Sequence, residues 1–359
     1  MVSAVSAQLK RPKLPLAALA LAALVVSVSV GGCKCLRGPV NASPGLRWWL
    51  FSNFGAGKVC PEMLKQGMAL KMQDMGPSVG RFFPNSCTVD VVDETQTITV
   101  NFGGTGYAYT PVTGRVGFSA QAAVQYRPDF YIADDDIYVW ARVNRILRGP
   151  DFQLGFVQNP LAAGASALTP LGTVANLFGN QIVAGEVTRG FTVVQDWDTE
   201  SNTFALGILQ PPAKPHTPYD VSKDAVYTFA NETVEVQHNQ RDFLGPFEIV
   251  DGDQQLQVRM FLQGPAVDLL VVNRQIGDIW RDAYQTGQAN SAPPGPILAG
   301  GVLQPNQELR TGYRLPPGQY YIVIDNTAQA GTTNPPITTP LNPLAPTARI
   351  STVVQLGEL

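Results

Sequence analysis

Charge, histidine and cysteine are all scarce in this 359-residue chain, and each shortage removes a class of function. Charged residues make up 15% of the sequence and leave a net charge of −3. Without clustered cations to neutralise phosphates, nucleic acid is excluded as a partner. Only two histidines exist. His216 lies in a proline-rich stretch, and His238 reads as sharing a strand face with Val234 and Val236. A Ser-His-Asp triad therefore has almost no material, and no Gly-x-Ser-x-Gly elbow is present. The four cysteines show no Cys-x-x-Cys or Cys/His spacing, so a structural metal site is not expected.

Phosphate loops fail on inspection too. Gly55-Ala56-Gly57-Lys58 has Ser52 at the first glycine position and Val59 where Ser or Thr belongs. Gly103-Gly104-Thr105-Gly106 lacks the third glycine of a dinucleotide loop. Among the carboxylates, Asp134-Asp135-Asp136 reads as a solvated turn. Asp196-Trp197-Asp198-Thr199-Glu200 lacks the glycine of a calcium loop, and Asp268 and Asp325 stand as single acids on strands. No catalytic residue, metal or cofactor is assigned, and the expectation is a protein that is not an enzyme.

What the chain does have begins at its N-terminus. Lys10, Arg11 and Lys13 precede the uncharged run 14–30, which closes on Val30-Gly31-Gly32-Cys33. This resembles a bacterial lipoprotein signal, in which the cysteine after a small residue is cut, acylated and left as the mature N-terminus. The resemblance implies residues 1–32 as signal peptide and Cys33 as a palmitate-bearing anchor. The rival is an uncleaved membrane helix, whose seventeen residues span roughly 25 Å, the short end of what a bilayer needs. Either way the bulk of the chain is exported. Lys34 follows the cysteine in place of the acid that commonly holds lipoproteins at the inner membrane, so the resemblance favours the outer membrane. Loss of the three leader cations from a net −3 leaves −6.

An exported compartment permits disulfides. Cys60 and Cys87 lie beside the first expected strands and are the preferred pair. Closing that loop contributes roughly 3 kcal/mol in the chain-entropy model. Cys35, in a tether, is then the odd thiol. Residues 33–58 read as this lipid-anchored tether and entry segment. Its Trp48, Trp49, Phe51 and Phe54 either open the core of the first domain or sit at lipid headgroup level.

Glycine (34) and proline (29) are plentiful, which suits short strands and turns. The expected fold is mainly β. An N-terminal antiparallel sheet domain with one covering helix precedes a C-terminal jelly-roll-like β-sandwich. Residues 59–208 form the first, α+β domain, where period-two segments at 88–92, 96–101, 116–126 and 136–143 make a meander. The run 152–185 has no charge, and Leu171, Val174, Phe178 and Ile182 form a helical stripe behind Thr169-Pro170. That helix covers the sheet or lids an apolar ligand cavity.

Four prolines at 211–218 mark a spacer, assigned to 209–231. Beyond it, residues 232–359 read as the sandwich. Asp251-Gly252-Asp253 signals a hairpin, and Leu256, Val258, Met260 and Leu262 share one strand face. Further strands are expected at 267–272, 308–313, 319–324 and 349–356. The runs Ala266-Val267-Asp268-Leu269-Leu270-Val271-Val272 and Leu315-Pro316-Pro317-Gly318-Gln319-Tyr320-Tyr321-Ile322-Val323-Ile324-Asp325-Asn326 resemble the bacterial pre-peptidase C-terminal domain and related jelly rolls over about 232–357. Residues 60–210 resemble, in architecture alone, small lipoproteins with tubular lipid-binding folds. The functional expectation is a lipid-anchored envelope protein acting as a binding or structural interaction module. Its partners are the membrane, through the anchor, and a protein of the envelope. The alternatives are a carrier of an apolar ligand such as lipid, and a surface adhesin or carbohydrate-binding protein.

Overall fold

The computed structural model describes residues 34–71, 76–110, 113–133, 136–159, 190–196, 202–206, 208–214, 217–222, 224–288, 291–335 and 347–359. Cys33 and the expected helix with Leu171, Val174, Phe178 and Ile182 lie outside the described residues. The molecule is mainly β, and its described residues form fifteen strands in two sheets.

The stretch expected to be a tether is helical. Helices α1 (Lys34–Ala42), α2 (Pro44–Leu50) and α3 (Ala56–Lys65) follow one another, with a π-helical turn at Phe51–Gly55 before the last. Ser43 caps α2, its Oγ accepting the Leu46 N–H at 3.3 Å, and Pro44 takes the first helical position. Asn41 pairs with the backbone of Ile132 through both its amide groups, at 2.8 and 3.0 Å. These ties convert an apparent linker into a cover for the first sheet. Phe51 and Ala56 are buried, and Trp48, Val59 and Met63 pack with them against Phe82, Val100, Phe118, Ala122 and Val124.

The sheet they cover is built from β1 (Met68–Lys71), β2 (Ser78–Val92), β3 (Thr97–Thr110), β4 (Gly114–Ile132), β5 (Asp136–Val157), β6 (Phe191–Asp196) and β7 (Asn202–Leu206). All pair antiparallel with their neighbours. The expected meander is present but its strands are longer than the period-two segments indicated. Asp93–Thr95 makes the turn between β2 and β3, closed by Gln96 in the left-handed region (φ 51°).

The C-terminal strands are β8 (Ala225–Val236), β9 (Gln240–Ile249), β10 (Gln254–Gln263), β11 (Val267–Asn273), β12 (Ala299–Leu303), β13 (Glu308–Tyr313), β14 (Gly318–Asn326) and β15 (Ala348–Glu358). They form the orders β8-β15-β10-β13 and β12-β11-β14-β9. Eight strands in two four-stranded antiparallel layers with this interleaving are a jelly roll. Strand β8 starts within the stretch assigned to the spacer. His238 sits in the turn between β8 and β9 rather than on a strand face. Residues 251–253 turn the chain from β9 to β10 where the sequence signals a turn, but the two strands lie in opposite layers and do not pair, so the expected hairpin is an arch between the sheets.

Inward residues Leu256, Val258, Met260, Leu262, Val267, Leu269, Val271, Ile322, Ile324, Ile350 and Val354 fill the space between the layers. The second layer is buried on its outer side as well. Leu270, Val272, Tyr321 and Val323 pack there under α4 (Arg274–Gln285) and against Phe83 and Tyr107 of the first sheet. Burial on both sides is why β11 and β14 are continuous apolar runs instead of alternating ones. Strand β8 also meets β2 in parallel at Ser78 and Val234, so one eleven-stranded sheet runs through both halves.

Candidate functional site

The densest polar chemistry lies where the two halves meet. Arg81 on β2 is 2% exposed and carries a full charge into this interior. Its Nη2 donates to Glu232 of β8 at 2.9 Å and to Asp242 of β9 at 2.8 Å, and its Nε donates to Asp242 at 3.3 Å. Tyr107 on β3 donates its hydroxyl to the same carboxylate at 2.5 Å and accepts the Phe243 N–H at 2.8 Å. Burial opposes the Arg81 charge, but Asp242 and Glu232 outweigh it and raise the Arg81 pKa. Burial, then the Asp242 charge, pushes the Tyr107 phenol well above its ordinary value.

A second group flanks the first. Arg241 Nε lies 2.8 Å from Asp325 Oδ1, an ion pair without hydrogen-bond alignment. The Arg241 guanidinium stacks 4.5 Å from the Trp280 ring centre and donates to Thr327 and to the Ser291 carbonyl. Burial lowers the Arg241 pKa and raises that of Asp325, each against the pull of its partner. Tyr284 of α4 donates to Gln240 at 2.6 Å and accepts the Arg241 N–H at 3.2 Å. Arg115 of β4 lies 3.9 Å from the Tyr284 ring centre. Between these groups is a cavity of about 10 Å³ lined by Tyr107, Arg115, Gln240, Arg241, Asp242 and Tyr284, room for one water.

The close approach of α4 depends on a missing side chain. A Cβ on Gly117 of β4 would stand 1.7 Å from the Gln285 carbonyl at the end of that helix. Only glycine lets the helix settle there.

Of the carboxylates raised as candidates, Asp268, Asp325 and Asp136 are engaged, while Asp134, Asp135, Asp198 and Glu200 lie outside the described residues. Asp268 accepts the Thr332 N–H at 3.0 Å and the Thr333 N–H at 2.9 Å, together with both threonine hydroxyls. It fixes the 331–333 loop with its lone pairs already filled by donors. Asp325 takes the Thr327 hydroxyl at 2.7 Å. Asp136 holds Lys214 at 3.0 Å. Among the described residues no cluster of three His, Cys, Asp or Glu is placed to hold a metal ion.

The structure forms the Cys60–Cys87 disulfide, with Cα atoms 5.4 Å apart, tying α3 to β2. The entry aromatics divide. Trp48 and Phe51 join the core, whereas Trp49 and Phe54 form an edge-to-face pair at 5.8 Å that is 38% and 51% exposed. The junction residues Arg81, Tyr107, Glu232 and Asp242 were not identified from the sequence. Their signal was a charge or phenol inside an apolar strand, as in Gly80-Arg81-Phe82-Phe83.

No protein-family model and no curated protein matches this chain.

Proposed function

We propose that the chain is an exported, lipid-anchored protein of the cell envelope, with residues 1–32 as leader and Cys33 as the acylated terminus, serving as a binding or structural module. The supporting observation is the oxidised Cys60–Cys87 pair behind a basic, apolar and Gly-Gly-Cys leader. Disulfides persist where thiols are not kept reduced, outside the cytoplasm. Helix α1 starts at Lys34, next to the proposed anchor, so the fold would ride close to the bilayer, with Trp49 and Phe54 available to it. No helix among the described residues is long and apolar enough to cross a membrane. A binding role also agrees with how the buried charges are used. Arg81 and Arg241 spend their donors on joining strands, and Asp268 on fixing a loop.

Growth with labelled palmitate tests the anchor. Label should enter the wild-type chain and not Cys33→Ser, and the variant should leave the membrane fraction or stay unprocessed. A wild-type chain that takes up no label overturns the proposal.

A further inference from the structure

Strand β5 departs from its neighbour in one place. Between the pairs Arg127–Arg142 and Val116–Val157, β4 uses residues 116–127 while β5 uses 142–157, four residues more. The excess appears as register shifts at Gly117/Phe118, Gln121/Ala123, Ala123/Val124 and Gln125/Tyr126, the last three crowded between the pairs Gln121–Asp151 and Arg127–Arg142. Bulges of this kind bend a strand outward and re-aim its side chains. Here Arg142, Asn144, Arg145, Ile146, Leu147 and Arg148 are all exposed.

The composition of this blister runs against the chain. In a protein of net charge −3 it gathers three arginines within seven residues, and Arg127 is exposed at the adjacent position of β4. Arg142 and Arg145 have no ion-pair partner among the described residues. Arg148 reaches Asp151 only at 3.6 Å, with both side chains more than half exposed. Ile146 and Leu147 stand between the arginines, 39% and 44% exposed.

Among the described residues no strand pairs with this side of β5 beyond 136–141, and a bulged, cationic edge there also discourages strand-to-strand aggregation. That role needs charge alone. Two exposed aliphatic side chains at the crest work against it, and they suit a headgroup interface, where cations meet phosphates and apolar groups enter the acyl boundary.

We propose that the β5 blister, residues 142–148, docks on an anionic bilayer. Arg142, Arg145 and Arg148 meet lipid phosphates, and Ile146 and Leu147 enter the interface. The contact does not depend on acylation of Cys33, so failure of the palmitate test leaves it standing, and the reverse also holds.

The test is flotation of the full chain with vesicles of phosphatidylcholine alone or mixed with phosphatidylglycerol, wild type against Arg142→Gln/Arg145→Gln/Arg148→Gln. The leader and any anchor are common to both proteins, so the change in anionic preference isolates the blister. Each arginine at the surface is worth about fivefold, so the triple variant should lose on the order of a hundredfold of the preference. High salt should erase the wild-type preference, and Ile146→Ser/Leu147→Ser should weaken binding to both vesicle types. An unchanged preference in the triple variant overturns the proposal. So does an equal loss in Lys58→Gln/Lys65→Gln, which would make the attraction diffuse. Loss of retention on immobilised heparin with unchanged vesicle binding would assign the patch to a polyanion and also overturn it.

Discussion

The two halves of this chain reach burial by different routes. In the jelly roll, strand faces strand, and residues such as Leu256, Met260, Leu269 and Ile350 are fully buried without help from a helix. Among the described residues the N-terminal sheet has no opposing sheet. One face is closed by α1 to α3, and part of the other by α4, which the C-terminal half supplies. The jelly roll holds a complete core of its own, whereas the first sheet borrows part of its cover. Stability should therefore be unevenly shared, with the junction as the place where one half leans on the other.

Arg81→Met breaks that junction most directly. It leaves Asp242 and Glu232 as buried carboxylates without their cation, and removing one partner from a buried pair costs about 3–5 kcal/mol. Chemical denaturation followed by tryptophan fluorescence should show one transition in the wild type. In the variant it should show two, with the sheet 68–206 melting first and the jelly roll persisting. Restoring neutrality with Arg81→Met/Glu232→Gln/Asp242→Asn should recover part of the loss. A single, unshifted transition in Arg81→Met would mean that the two halves do not depend on this network.

The same contrast explains what was legible in the sequence. The strands β10, β13 and β15 fall close to their sequence-based positions, because a sandwich writes its core as alternation and its turns as Asp-Gly or Pro-Gly. The continuous runs of β11 and β14 identified strands but did not say what covers their outer side. That cover is α4, whose buried positions Gly277, Trp280 and Tyr284 lie at helical spacing behind an Asn273 cap. The stripe was readable, yet the polar residues around it and a glycine within it concealed it. Helices α1 and α3 were hidden for a related reason, since Pro39 and Pro61 lie inside them. Their stability comes from packing on the sheet, which local propensity does not record. The junction was the least legible part. Arg81 is 151 residues from Glu232 and 161 from Asp242 along the chain, and it meets them only where β2 runs beside β8 and under β9.

The disulfide sharpens the comparison at a middle magnitude. It lies in the half that borrows its cover, and fastens α3 to β2 across a separation of 27 residues. Cys60→Ser/Cys87→Ser should cost the N-terminal half roughly 3 kcal/mol by the chain-entropy estimate. The jelly roll has no share in that loop, so the single wild-type transition should split, with the jelly-roll step staying at the wild-type midpoint. Proteolysis would report the same asymmetry, with faster cleavage in residues 34–65. Equal destabilisation of both halves would show that the continuous sheet couples them more tightly than their separate cores suggest.

The smallest effect belongs to the surface of the jelly roll and should be visible only through pH. Glu308 of β13 accepts from Arg259 at 2.6 Å and from Arg310 at 2.7 Å, and these two hydrogen bonds hold its carboxyl below the ordinary value. A carboxylate depressed in the folded state adds stability above its unfolded pKa and loses it as pH falls through the folded one. Glu308→Gln should therefore lower the jelly-roll midpoint slightly at neutral pH and not at all in strong acid. Because the group is open to solvent, added salt should shrink the difference further. The first sheet should be indifferent at every pH. A Glu308→Gln penalty that persisted in strong acid would trace to lost packing of β13 on β10 instead of to charge, and would place more of the jelly roll's strength at its edge than its buried layers indicate.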